Sequence, residues 1–112
     1  MLSKATNLKV LATATTGTDH IDLEYAKERG IQVFSAPGVN ATATAEHTLG
    51  MILSLVRNIP FGFNSVSSGS SKDRSQFLGT ELSGKTIGIV GFGRIGSQIG
   101  RYAKAMGMNV LT

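Results

Sequence analysis

Lys85-Thr86-Ile87-Gly88-Ile89-Val90-Gly91-Phe92-Gly93-Arg94-Ile95-Gly96 is the stretch on which the reading of this chain turns. Lys85 to Val90 is a short apolar run of strand length, Gly91 to Gly96 is a glycine-rich turn, and helix-forming residues follow from Arg94 to Met106. Gly107 stands where a left-handed C-terminal cap is wanted, and Met108 to Leu111 opens another strand. The spacing Gly91-x-Gly93-x-x-Gly96 is by itself a weak signal, because glycine is common. Its position gives it meaning. Directly after a strand and at the start of a helix, the first glycine makes a tight turn, the second lets a pyrophosphate approach the backbone, and the third allows helix and strand to pack closely. Amides at the helix start, helped by the helix dipole, then hold the phosphates. The same spacing also serves a tight strand-to-helix connection without a ligand. A dinucleotide site of this kind places an Asp or Glu about 20 residues further on; the sequence stops at Thr112, about where that acid is expected.

Working outward, Leu8 to Thr13 reads as a short buried strand and Thr15-Thr16-Gly17-Thr18 as the loop after it. Asp22 can cap a helix over Leu23 to Arg29 that ends at Gly30. Ile31 to Phe34 alternates as a strand does, and Pro37-Gly38 breaks it. From Ala41 to Arg57, Ala45, Leu49, Ile52 and Val56 recur at helical spacing with further apolar residues between them, so this helix is expected to be buried on most sides. It should end by Asn58-Ile59-Pro60. Phe61 to Asp73 holds Ser65, Ser67, Ser68, Gly69, Ser70 and Ser71, the composition of a flexible connection or an exposed, frayed helix. The domain boundary is expected there.

The 112 residues carry 41% apolar and 16% charged side chains, which argues against disorder. The longest apolar stretch, near Leu49 to Val56, is far short of the roughly 20 residues a membrane span needs. No secretory signal is apparent, and zero cysteines remove a disulfide framework or thiolate metal site, so a cytoplasmic protein is expected. Residues 1 to 84 hold seven basic and seven acidic side chains, whereas Lys85, Arg94, Arg101 and Lys104 follow without an acid. That segment either meets phosphate or is a basic surface helix. Nucleic acid is not an expected partner, because the bases are spread singly with no interleaved aromatics.

Taken together, these motifs resemble the D-isomer-specific 2-hydroxyacid dehydrogenases. Thr86 to Gly96, preceded by Gly79-Thr80-Glu81-Leu82-Ser83-Gly84-Lys85, is similar to their nucleotide-binding signature. Upstream, Thr16-Gly17-Thr18-Asp19-His20-Ile21-Asp22, Ala26, Gly30-Ile31-Gln32-Val33, Ala36-Pro37-Gly38-Val39-Asn40, Ala45-Glu46-His47 and Arg57 follow the same order. The resemblance implies an oxidoreductase that moves a hydride between NAD and a D-2-hydroxy acid or 2-keto acid, with NADP left open. It implies an α/β chain of partial Rossmann-like parallel sheets: residues 1–40 the end of a substrate domain, 41–60 a connecting helix, 61–84 a Ser/Gly-rich connection, and 85–112 the first β-α-β unit of a nucleotide-binding domain.

The resemblance also implies roles. Thr16 and Gly17 match a loop whose backbone contacts the substrate carboxylate and approaches the nicotinamide. Asn40 matches a substrate-orienting position of the formate dehydrogenases, which Thr18-Asp19-His20 also resembles. Gly91, Gly93, Arg94, Ile95 and Gly96 match the pyrophosphate-binding turn. His20, His47 and Glu46 are read as structural, His47 on a buried helix. The histidine, acid and arginine that perform the family's chemistry match nothing in these residues, so no catalytic residue is assigned and the chain alone is expected to be inactive. Thr13 and Thr15 depart from the arginine, serine or glycine common there, and Lys72 falls near a frequent tryptophan.

Two strands on either side of the serine-rich stretch cannot close a parallel core, since such sheets need both faces covered. The chain is therefore expected to be stable as a homodimer or higher assembly, as a piece of a longer chain, or with the connecting helix exchanged between copies. The alternative is a non-catalytic module that binds nucleotide weakly or pairs with a full-length relative.

Overall fold

The computed structural model describes residues 2–70 and 74–112. Lys72, with its neighbours Ser71 and Asp73, lies outside the described residues. The chain divides into two compact units, Met1–Asn40 and Ala41–Thr112.

In the first unit a 3-10 turn at Leu2–Lys4 leads to β1 (Val10–Ala12), followed by α1 (Leu23–Glu28) and β2 (Gln32–Phe34). The two strands run parallel, with Leu11 opposite Val33 at the centre of the register. Parallel pairing requires a crossover, and α1 lies within it. The helix starts where the Asp22 carboxylate accepts the Tyr25 N–H at 2.9 Å, satisfying one of the donors that a first turn leaves without a partner. It buries Ala26, with Ile31 beneath it, as the core of this unit. Arg29 then donates to the Tyr25 hydroxyl at 2.8 Å and to the Thr6 carbonyl at 3.2 Å, which fastens the helix end to the segment before β1.

The second unit holds α2 (Ala41–Val56), α3 (Ile59–Ser67), a 3-10 turn at Arg74–Phe77, β3 (Thr86–Gly88), α4 (Arg94–Ala105) and β4 (Asn109–Leu111). β3 and β4 are parallel, with Ile87 opposite Val110, and α4 is their crossover. α2 packs along α4. The buried residues of these two helices are small: Ala41 and Ala45 on α2, Gly96, Gly100 and Ala103 on α4. Small side chains let helix axes approach closely. Asn58 turns the chain between α2 and α3 in the left-handed region at φ 52°, and its amide donates to the Leu78 carbonyl at 2.9 Å. The segment 78–80 thereby closes over the end of α2, where the Thr80 N–H reaches the Val56 carbonyl at 2.7 Å. An otherwise unbonded terminal carbonyl is satisfied in this way.

One expectation changes. α2 has the expected length, but it is not buried on most sides: Met51 is 61% and Leu55 77% exposed, and Glu46 and His47 face solvent. Apolar periodicity marks a face that gains from being covered; among the described residues, the fully buried positions of α2 are Ala41 and Ala45. Of the two readings of the serine-rich stretch, its start follows the helical one, since Pro60 sits in the first turn of α3, where its missing N–H costs nothing. Its serines bond locally: the Ser68 hydroxyl donates to the Ser65 carbonyl at 3.2 Å and lies 2.7 Å from the Ser70 hydroxyl. By packing, the compact units divide between Asn40 and Ala41, because α2 belongs with α4.

Among the described residues no helix is long and apolar enough to cross a membrane. Apolar residues of both small sheets, Val10, Phe34 and Leu111 among them, are exposed. A two-stranded parallel sheet with one crossover leaves such surface uncovered.

Candidate functional site

Both candidate loops leave the C-terminal end of a parallel strand, the place where ligands meet open α/β sheets. The first, in the Met1–Asn40 unit, follows β1. Backbone bonds from Thr13 N–H to the Phe34 carbonyl (2.9 Å) and from Ala36 N–H to the Thr15 carbonyl (3.1 Å) continue the pairing past the strands. They bring the segment 36–40 alongside the loop. The Thr16 hydroxyl then donates to Asn40 Oδ1 at 2.8 Å, joining residues 24 positions apart. Thr16, Gly17 and Asn40 are all exposed. The structure therefore brings the three expected substrate-loop residues together on one accessible edge.

Neighbouring hydroxyls hold this edge in shape. Thr15 donates to the Gly17 carbonyl at 2.7 Å, the Thr13 and Thr15 hydroxyls are 2.7 Å apart, and His20 Nε2 lies 3.3 Å from Thr13 Oγ1. By spacing alone Thr13 and Thr15 are departures from a pattern, and only the folded loop shows this network. The available signal was local: hydroxyl residues at alternate positions just past a strand tend to bond neighbouring backbone groups. His20 faces solvent beside these threonines, and His47 is exposed on α2.

The second loop, in the Ala41–Thr112 unit, follows β3. The Ile89 N–H bonds the Leu111 carbonyl at 2.9 Å, the last link before the chain turns. Gly91 takes φ 91°, a conformation that side chains disfavour, and this makes the turn. Gly93 caps α4 in an extended conformation without any side-chain cap, and a Cβ built on it meets nothing within 4 Å. Gly96 is buried, and a Cβ there would collide with the Gly91 carbonyl oxygen and come within 3.1 Å of Ile89 Cγ2. The three glycines thus have three different reasons: a left-handed turn, open space above the backbone, and close packing.

The first bond of the α4 ladder runs from the Ser97 N–H to the Gly93 carbonyl at 3.0 Å. The N–H groups of Arg94, Ile95 and Gly96 precede it and have no carbonyl one turn back. They sit at the positive end of the helix dipole, and residues 85–112 add four basic side chains and no acid. Unencumbered amides, a positive field and an absent Cβ form a cradle that fits an anionic group such as a pyrophosphate.

A third feature is apolar. His47, Gly50, Met51, Leu55, Pro60 and Phe61 line an open groove of about 640 Å³ on α2 and α3. Ile59, Phe63 and Val66 are exposed on α3 as well. Apolar patches of this extent mark interaction surfaces.

Comparison with known proteins agrees with the geometry. Residues 1–110 match the family described as D-isomer specific 2-hydroxyacid dehydrogenase, catalytic domain. The chain is 46% identical over 111 residues to D-3-phosphoglycerate dehydrogenase of Methanocaldococcus jannaschii, covering 99% of this chain and 21% of that protein. In structure it is similar to D-lactate dehydrogenase from Aquifex aeolicus, solved with NAD and lactic acid, with TM-score 0.85 and 41% identity over 97% of this chain and 33% of that one. It is also similar to NAD-dependent formate dehydrogenase from Staphylococcus aureus, solved with NAD, with TM-score 0.87 and 38% identity over 97% of this chain and 33% of that one. The chain belongs to the D-isomer specific 2-hydroxyacid dehydrogenase family. It spans about a fifth of the length of the curated relatives it matches.

Proposed function

We propose that these residues are the cofactor-cradling and substrate-loop portion of an NAD-dependent oxidoreductase that interconverts a D-2-hydroxy acid and its 2-keto acid. The observation that carries this reading is the division of labour among Gly91, Gly93 and Gly96 in a strand-turn-helix. In this reading residues 85–112 are the first β-α-β unit of a Rossmann domain, 1–40 the end of a substrate domain, 41–60 the connecting helix and 61–84 the link between them. A nicotinamide cofactor, when bound, supplies the hydride acceptor or donor. The chain's own part is to hold and orient. The amides of Arg94 and Ile95, with Gly93 and Gly96 allowing approach, receive the pyrophosphate. The Thr16 and Gly17 backbone receives the substrate carboxylate, with Thr16 also facing the nicotinamide. Asn40, held by the Thr16 hydroxyl, orients the substrate; that contact also supports a formate dehydrogenase-like variant of the reading.

Moving a hydride from a C–OH carbon also requires a base for the hydroxyl proton and a clamp for the carboxylate. His20 is engaged with Thr13 and His47 lies on α2, so neither is given that role. The 112 residues are therefore expected to bind nucleotide without turnover. The apolar groove on α2 and α3 supports a homodimer formed through the connecting helix.

Two measurements test this. NADH titrated into the chain should bind saturably, and Gly93→Val should weaken binding by at least about tenfold, a change of about 1.4 kcal/mol. Thermal stability should be unchanged, since Gly93 has a negative φ of −86° and open space around its missing Cβ. Absent binding, or a Gly93→Val chain that binds as well as the parent, contradicts the cradle. NADH consumption with hydroxypyruvate, pyruvate or glyoxylate should be at background; a robust rate overturns the claim that turnover needs further residues.

A further inference from the structure

The glycine pattern that spacing picks out ends at Gly96, yet the structure shows another buried glycine one turn further along α4. Gly100 has no positive φ, so its backbone does not require glycine. Glycine is also the poorest helix former after proline, so helix formation does not favour it. Space does. A Cβ on Gly100 would lie 2.9 Å from Cε2 and 3.2 Å from Cζ of Phe92, with Ile89 Cδ1 at 3.6 Å. Phe92 is the residue between the first two glycines of the loop, and its ring lies on the bare face of α4 at Gly100.

Phe92 is 52% exposed, so burial alone is a poor reason for an aromatic at this position. It does have a mechanical one. Between Gly91 and Gly93, Phe92 contributes the only side chain of a three-residue turn whose other members have the widest conformational freedom of any residue type. A ring seated on the helix converts that freedom into one conformation. Binding then no longer has to meet the cost of ordering the loop.

We propose that Gly100 is a positioning residue for the pyrophosphate cradle, acting through Phe92: it is the seat that fixes the Gly91-Phe92-Gly93 turn. The inference rests on the cofactor reading above. The obstructing atoms are the far end of a side chain, so Gly100→Ala is accommodated by lifting the ring. Stability holds or rises, while the turn loosens.

The experiment compares the chain with Gly100→Ala and with Gly100→Ala/Phe92→Leu, in which leucine lacks the two ring atoms that collide. NADH affinity should fall roughly fivefold in the single variant, the ordering cost of about one side chain, and return to within about twofold of the parent in the double variant. The melting temperature of Gly100→Ala should stay level or increase. Amide resonances of Gly91, Gly93 and Arg94, recorded without ligand, should shift in the single variant and return in the double. Unchanged affinity together with unmoved loop amides in Gly100→Ala overturns the proposal. If the parent chain does not bind NADH, the cofactor reading fails, and the loop amides alone decide whether Gly100 seats the turn. If Gly100→Ala does not fold, Phe92→Ala replaces it: faster hydrogen exchange at Gly91 and Gly93 supports the seat, and unchanged exchange overturns it.

Discussion

Gly96→Ala is expected to lower stability and abolish NADH binding together. The added Cβ meets the Gly91 carbonyl oxygen, which belongs to the backbone of the turn and cannot rotate away as a side chain does. Relief requires α4 to move off β3 or the turn to open. Overpacking of this kind costs about 1–3 kcal/mol, against which alanine's better helix propensity returns up to about 1 kcal/mol. A net loss of about 1 kcal/mol corresponds to a fall in melting temperature of roughly 4–8 °C for a chain of this size. Binding suffers more than stability, because either route of relief displaces the amides of Arg94 and Ile95. Differential scanning calorimetry with an NADH titration checks both. An unchanged melting temperature would show that the contact between α4 and the turn is not tight. Gly93→Val is the complement: the same loop, with affinity lowered and stability retained.

In the proposed homodimer, Leu55→Asp is expected to convert dimer into monomer. Leu55 is 77% exposed beside Met51 in the apolar groove, so an aspartate there disturbs little within one copy. In a homodimer formed through this helix the same change places an unpaired carboxylate in an apolar contact. Residues central to an interface cost at least about 2 kcal/mol when lost, so association should weaken by roughly thirtyfold or more. Sedimentation equilibrium should show dimer for the parent and monomer for Leu55→Asp at the same concentration. A parent that is a cooperative, well-folded monomer removes this part of the account.

How much could be read from residues alone depended on how local the determining physics is. α1 was legible because its cap, Asp22, and its terminating glycine, Gly30, are written within ten residues of each other. α4 and its glycine loop were legible for the same reason, since the turn, the open approach and the close packing all fall between Gly91 and Gly96. The burial of α2 was not legible. Periodicity shows that Leu49, Ile52 and Val56 share a helix, whereas which face is covered depends on α4, some fifty positions away in sequence. The serine run was ambiguous by composition, and its helical start came from Pro60 in the first turn and from serines bonding their own backbone. At the first loop, spacing alone did not show that Thr16 donates to Asn40, because the pairing of β1 with β2 creates that contact. Phe92 on Gly100 was invisible for a related reason: a close approach is a property of packing and leaves no sign in residue type beyond one more glycine.

In the proposed reading, the start of α4 holds a pyrophosphate. The most direct measurement follows backbone amide resonances of the chain as NADH is added. Gly93, Arg94, Ile95 and Gly96 should shift progressively and saturably, and inorganic pyrophosphate should move the same amides. Shifts confined to other residues, or none at concentrations up to about ten millimolar, where even a weak site of about millimolar Kd is mostly filled, would contradict it.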